Sequence, residues 1–160
     1  NIMIGIPESG PEKIQHLLDS LGFEYKVVEL PDTTRTAVDA ANSIGCTLGQ
    51  IVKSLVFQGE QTGKPILVVA SGTNRVNERI IGEYIGEPIK KASAKSVKAI
   101  TGFSIGGVPP LGHLQDISTF IDEDLLQYKE VWAAGGTSNS VFRLDPKDLQ
   151  NMTGGKVVTI

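Results

Sequence analysis

Apolar positions recur at helical spacing over the first third of the chain and later condense into continuous runs. After Ser9, the residues Ile14, Leu17, Leu18 and Leu21 fall at i, i+3, i+4 and i+7, which lays one apolar stripe along a helix. Ser9 with Glu12 forms a capping-box pattern at its start, and Gly22 stops it. EYKVVEL, residues 24–30, reads as a strand closed by Pro31. Thr36 then caps a second helix, in which Ala37, Ala40, Ala41 and Ile44 repeat at helical spacing before Gly45. That stripe is made of small side chains, so it predicts a close-packed neighbour.

A short helical turn over Thr47 to Val52 runs into SLVFQ, and after the GEQTG turn PILVVA completes an antiparallel hairpin. The loop SGTNR follows. A third helix starts near Asn77 with Ile80, Ile81, Tyr84 and Ile85 facing inward, and a fourth runs from Ser93 to Ile100 before Gly102. Further on, DISTFID reads as a strand, EDLLQY as a helical turn, and KEVWAAGG with SVFRL as a second hairpin across GGTSNS. Asp145 and Pro146 begin a last helix, and KVVTI adds a final strand. Hairpins and interspersed helices without a regular βαβ rhythm predict an α+β fold: a twisted mixed, mostly antiparallel sheet curling towards a barrel and surrounded by helices.

Composition narrows the function classes. With 160 residues, 40% hydrophobic and 21% charged, the chain suits a single domain over residues 1–160. No run reaches the apolar length that spans a bilayer, and the opening NIMIGIPESG lacks the basic start and apolar stretch of a signal peptide, so a cytoplasmic location without membrane partners is expected. One cysteine, Cys46, rules out an internal disulfide framework. With only His16 and His113 beside it, no metal-ligand spacing can be assembled, and neither metal nor cofactor is implied. The net charge of −3 speaks against a dedicated duplex-binding protein. Charge is uneven, however: from Pro88 to Gln115 lie Lys90, Lys91, Lys95 and Lys98 and no acidic residue. Such a run fits a solvated helix face or a surface that holds a nucleic-acid backbone.

Few residues can carry chemistry. Lys53 sits in QIVKSLVF with apolar neighbours on both sides; it either snorkels from the edge of the core or, held in a partly apolar cleft, binds phosphate or polarises a carbonyl. Cys46 reads as a small buried hydrophobe rather than a nucleophile. His113 adjoins the segment GFSIGGVPPLGH, residues 102–113. Its glycines let backbone N–H groups approach a ligand, while Pro109 and Pro110 fix φ and stiffen the chain. Either a rigid surface turn or a preorganised set of amide donors fits this composition. The spacing is not a nucleotide-binding fingerprint, since the Walker lysine is missing.

TRTAVDAANSIG, IVKSLVF, TGFSIGGVPPLG and AAGGTSNSVFRL, in this order and spacing, closely resemble the YbaK/ProX-type aminoacyl-tRNA deacylase family, which includes the editing domain inserted in bacterial prolyl-tRNA synthetases. The resemblance implies a YbaK-like fold and hydrolysis, in trans, of the ester joining a wrong amino acid to the 3′-terminal adenosine of a tRNA. Mischarged aminoacyl-tRNA is the implied partner, with an aminoacyl-tRNA synthetase as a further candidate. The family lysine falls on Lys53 and the G-x-x-x-P motif on Gly106 to Pro110, where Gly106 presents its amide to the substrate carbonyl. Without a Ser-His-Asp or Cys-His set, water is the expected nucleophile, with Lys53 orienting the substrate and the backbone amides of Gly106 and Gly107 polarising the carbonyl.

Softer positions follow from the same likeness. Thr36 matches the mouth of the family's pocket, and Gly135 belongs to the paired glycines that turn the last hairpin beside it. Asn74 and Asn139 are candidates to read the amino group or ribose, Val108, Pro110 and His113 to line the substrate, and Lys90, Lys91, Lys95 and Lys98 to hold the tRNA backbone. The branch that removes cysteine from prolyl-tRNA resembles S-G-G with an acid later in the hairpin; here Ala134 precedes the glycines and Val141 takes the later place. Alanine, serine and threonine remain open as substrates. Two rival classes stay open beside the enzyme: a silent tRNA- or synthetase-binding module, and a protein-interaction domain in which GGVPP is only a surface turn.

Overall fold

The computed structural model describes residues 8–160; most of the opening NIMIGIPESG, from which the absence of a signal peptide is read, lies outside the described residues. Helix α1 (Gly10–Ser20) is closed at its start by the reciprocal Ser9–Glu12 capping box and buries Ile14 and Leu18. Helix α2 (Ala37–Ile44) carries a second capping box, Thr36–Asp39, and lays Ala40 and Ala41 against Ile51 and Trp132. The small stripe therefore serves close packing, as its composition predicts.

The predicted first hairpin is the centre of the molecule. A single 3-10 turn, Leu48–Gln50, leads into β2 (Ile51–Gly59), which pairs antiparallel with β3 (Pro65–Ser71) from Val52 opposite Ser71 to Gln58 opposite Pro65. The strand starts earlier than SLVFQ suggests, so Lys53 lies within β2 rather than at a helix–strand junction. Residues Ile66 to Ala70 of β3 are all fully buried. Leu67 and Val69 join the core under α1, whereas Ile66, Val68 and Ala70 join a second core. A strand covered on both faces reads as an unbroken apolar run.

Helix α3 (Glu78–Ile85) covers the second core through Ile81 and is capped by Asn77. Strand β4 (Ile89–Lys91) follows and pairs with the far end of β2. Lys90 and Lys91 thus lie on a strand, not on the helix face the basic run suggested. Helix α4 (Ala94–Thr101) is capped by Ser93. Strand β5 (Ser118–Asp122) passes into a 3-10 turn over Glu123–Gln127, then β6 (Val131–Ala134) and β7 (Ser140–Leu144) form the second predicted hairpin. Strand β1 (Val27–Glu29), shorter than EYKVVEL, pairs with β7. Asp145 opens the last turn by accepting from the Lys147 amide, but helix α5 runs from Asp148 to Thr153, before β8 (Lys156–Val158). The sheet runs β1-β7-β6-β2-β3-β5-β8 with β4 branching from β2. It is mixed: β2–β6, β3–β5 and β5–β8 are parallel, the other pairings antiparallel. No described helix is long and apolar enough to cross a membrane.

Candidate functional site

A cleft of about 680 Å³ opens along β2, between the N-terminus of α2, the Asn74–Val76 loop, β4 and the segments around Gly106 and Ser138. Apolar Ala40, Val52, Val56, Val108, Trp132, Ala134 and Val141 contribute to its wall. Its charged lining is mainly basic: Arg35, Lys53, Arg75 and Lys91 against Glu78 alone. A chain with a net charge of −3 therefore carries a locally cationic cleft, the arrangement that attracts a phosphate-bearing ligand.

Lys53 is half-buried, and its Nζ donates to the Asn74 carbonyl at 2.8 Å. Burial lowers the pKa of the ammonium, the neighbouring Arg75 charge lowers it further, and Asp122 acts in the opposite direction. One of the three ammonium donors is committed to the loop, which leaves two for a ligand.

The Gly/Pro segment enters the cleft as a tight turn. Gly107 N–H donates to the Ser104 carbonyl at 2.9 Å, and Gly106, at φ +89°, takes the third position of the turn, as a type II geometry requires. Gly106 is exposed, while Gly107 to Pro110 are buried, so only the tip reaches solvent. A Cβ on Gly107 would lie 2.8 Å from Thr137 Cα and 3.1 Å from the Gly136 oxygen; this glycine permits backbone-to-backbone contact between the turn and the last hairpin. Its amide is spent inside the turn, which leaves Gly106 to offer an amide to a ligand. The base of the segment is held by Thr101, whose hydroxyl donates to the Val97 carbonyl and accepts from the Phe103 amide.

Of the positions named from sequence, Lys53, Gly106, Thr36, Asn74, Val108 and Lys91 line the cleft. Thr36 Oγ1 also accepts the Asp39 amide as a helix cap. Gly107, Pro110, His113, Gly135 and Asn139 do not line it. His113 Nε2 donates to the Pro109 carbonyl at 2.7 Å, stapling the loop from behind, and burial lowers its pKa. Asn139 donates to the Leu30 carbonyl and ties the hairpin to the chain after β1. Gly135 packs where a Cβ would be 2.7 Å from Val27 Cγ1. Lys90 precedes Lys91 on β4 and so points to the other face of the sheet; Lys95 and Lys98 are exposed on α4, and Lys98 donates to the Gly102 carbonyl. Arg35 and Arg75, cations of the cleft, escape sequence reasoning because a lone arginine has no spacing to betray it.

The structure thus sets a half-buried lysine and a bare glycine turn on one basic cleft of a mixed-sheet domain. A family model for the aminoacyl-tRNA editing domain matches residues 31–152, and the chain belongs to that family. It is 34% identical over 134 residues to the uncharacterized protein YwhH of Bacillus subtilis, spanning 84% of this chain and 85% of that one. A candidate Cys-tRNA(Pro)/Cys-tRNA(Cys) deacylase of Enterococcus faecalis, EbsC, is 27% identical over 126 residues, 78% of this chain and 76% of that one. The crystal structure of a candidate trans-editing enzyme for prolyl tRNA synthetase superposes with a TM-score of 0.90 at 46% identity, covering 96% of this chain and 98% of that one.

Proposed function

We propose that this chain is an aminoacyl-tRNA deacylase that acts in trans, hydrolysing the ester between a wrong amino acid and the 3′-terminal adenosine of a tRNA. The observation that carries the reading is the meeting of Lys53 and the Gly106 turn in one cleft lined by Arg35, Arg75 and Lys91. Lys53 holds the terminal phosphate or ribose end and orients the ester. The Gly106 amide polarises the carbonyl, where negative charge develops as water attacks. An aminoacyl ester is already activated, so orientation and oxyanion stabilisation suffice without a covalent intermediate. Gly107 contributes the close stacking of the turn rather than a second amide.

The amino acid side chain faces the apolar wall. Ala134 and Val141 line the cleft, and neither offers an acid to a thiol, so a small aliphatic or hydroxylated amino acid is the expected substrate. The relation to the candidate trans-editing enzyme supports delivery beside a synthetase as the setting of the reaction.

The test is deacylation of tRNAs carrying alanine, serine, threonine, cysteine or proline by wild type and Lys53→Ala. Selective loss of one mischarged species, with Lys53→Ala slower by about 100-fold, is expected, in line with the removal of one transition-state contact. Folded Lys53→Ala as active as wild type removes the assignment. Binding of tRNA without ester loss in any member of the panel establishes the silent binding module instead.

A further inference from the structure

The side-chain amide of Asn74 is committed to two carboxylates. Its Nδ2 is forked between Asp122 Oδ2 at 2.8 Å and Asp124 Oδ2 at 2.7 Å, while its carbonyl receives Lys53 Nζ. Asp122 stands at the end of β5 and is 1% exposed. Its Oδ2 also accepts the Ser71 amide at 3.0 Å, and its Oδ1 accepts the Asp124 amide at 2.9 Å. A carboxylate buried to this degree is costly unless its lone pairs are filled, and here the three donors come from the end of β3, the loop after it and the turn after β5. The same carboxylate therefore ties together the pieces that place the Asn74 carbonyl.

We propose that Asp122 is a positioning residue for Lys53: acting through Asn74, it fixes the main-chain carbonyl that aims the ammonium into the cleft. This deepens the deacylase reading and rests on the role given there to Lys53. The charged groups around the lysine are Arg75 on the loop, Asp122 behind it with Asp124 on the far side of Asn74, and Arg35, Glu78 and Lys91 across the cleft. Asp122→Asn keeps the shape of the side chain but exchanges one acceptor oxygen for a donor. That donor faces either the Asn74 and Ser71 N–H groups or the Asp124 amide, so two bonds are lost in one orientation and one in the other.

The experiment is a double-mutant cycle read together with a spectroscopic titration. Asp122→Asn is made in wild type and in Lys53→Ala, and deacylation is measured for both. We expect kcat to fall about tenfold with KM within about twofold in the wild-type background, and a loss of less than about twofold once Lys53 is gone. In protein labelled with 13C-lysine, the Cε resonance of Lys53, assigned from its absence in Lys53→Arg, titrates at lower pH in Asp122→Asn because a nearby negative charge has been removed. Equal losses in both backgrounds, or an unmoved Lys53 titration, overturn the proposal. If Asp122→Asn does not fold, Asn74→Ser leaves the carboxylate in place and removes only the forked amide, and the same non-additivity is expected of it. The titration needs no turnover: an inactive wild type whose Lys53 resonance still responds to Asp122→Asn sinks the deacylase reading and leaves this coupling standing.

Discussion

Gly106→Ala and Gly107→Ala separate two reasons for which a turn needs glycine. Gly106 sits at φ +89°, yet a Cβ there would meet nothing nearer than Ser138 Cβ at 3.8 Å. The alanine fits the space, and the cost is the left-handed backbone, about 1–2 kcal/mol. Gly107 has no positive φ, but its Cβ would lie 2.8 Å from Thr137 Cα, 2.9 Å from Thr137 C and 3.1 Å from the Gly136 oxygen. Those atoms are backbone, and Gly136 is itself pressed on Gly10, where its Cβ would be 2.6 Å from the Gly10 carbonyl carbon. Neither side of the contact can yield by a rotamer change, so Gly107→Ala is an overpacking substitution of about 2–3 kcal/mol. For a chain of this size that difference lowers Tm by roughly 4–12 °C, against roughly 2–8 °C for Gly106→Ala. Urea denaturation of both variants, with deacylation assayed on the folded protein, checks the ranking. Gly107→Ala should also lose deacylation, because the turn that aims the Gly106 amide is pushed off the hairpin. A Gly107→Ala protein as stable as wild type would refute the stacking of these three segments.

Other perturbations test neighbouring parts of the argument. Burial depresses the Lys53 pKa, so the folded state holds that proton less tightly than the unfolded state. Between the depressed value and the ordinary 10.5, wild type should gain stability relative to Lys53→Met as pH rises, measured by denaturant midpoints at several pH values; a wild type that loses stability relative to Lys53→Met over that rise contradicts the burial of the ammonium. His113 is likewise held below its ordinary 6.5, chiefly by burial. Stability should therefore fall as pH drops below 6.5 through the lowered folded value, and His113→Gln should flatten that dependence. Tyr25 Oη donates to Asp148 and accepts the Asp145 amide at 3.0 Å, tying the segment before β1 to the start of α5. Tyr25→Phe is expected to cost about 1–3 kcal/mol in thermal or urea unfolding without changing deacylation.

Local chemistry made much of the fold readable. The Ser9–Glu12 and Thr36 caps, the apolar stripes between them and their closing glycines are contained within a few turns of chain, and the two hairpins are joined by short polar turns. Strand β4 was invisible for the opposite reason. Ile89–Lys91 is three residues with two lysines, and it becomes a strand because the far end of β2 offers unpaired backbone groups to it. The parallel pairings β2–β6 and β3–β5 join segments far apart in the chain, and no periodicity encodes which strands become neighbours.

The candidate site divides along the same line. Lys53 between apolar residues and the Gly/Pro run announce themselves by composition, and the order of four motifs points to the editing family. The directions in which those groups face belong to the tertiary structure. Asn74, which by residue type suits substrate contact, is turned onto Asp122 and Asp124, and the Gly107 amide is consumed by Ser104. Arg35 and Arg75 join Lys53 only because α2 and the loop after β3 converge on β2. Sequence alone determined most of the elements, the chemistry available and the family resemblance, since caps, stripes and motifs are short-range properties of covalent neighbours. Packing decided which donors remain free and which cations share a cleft, because those depend on distances between atoms that the chain brings together only when it folds.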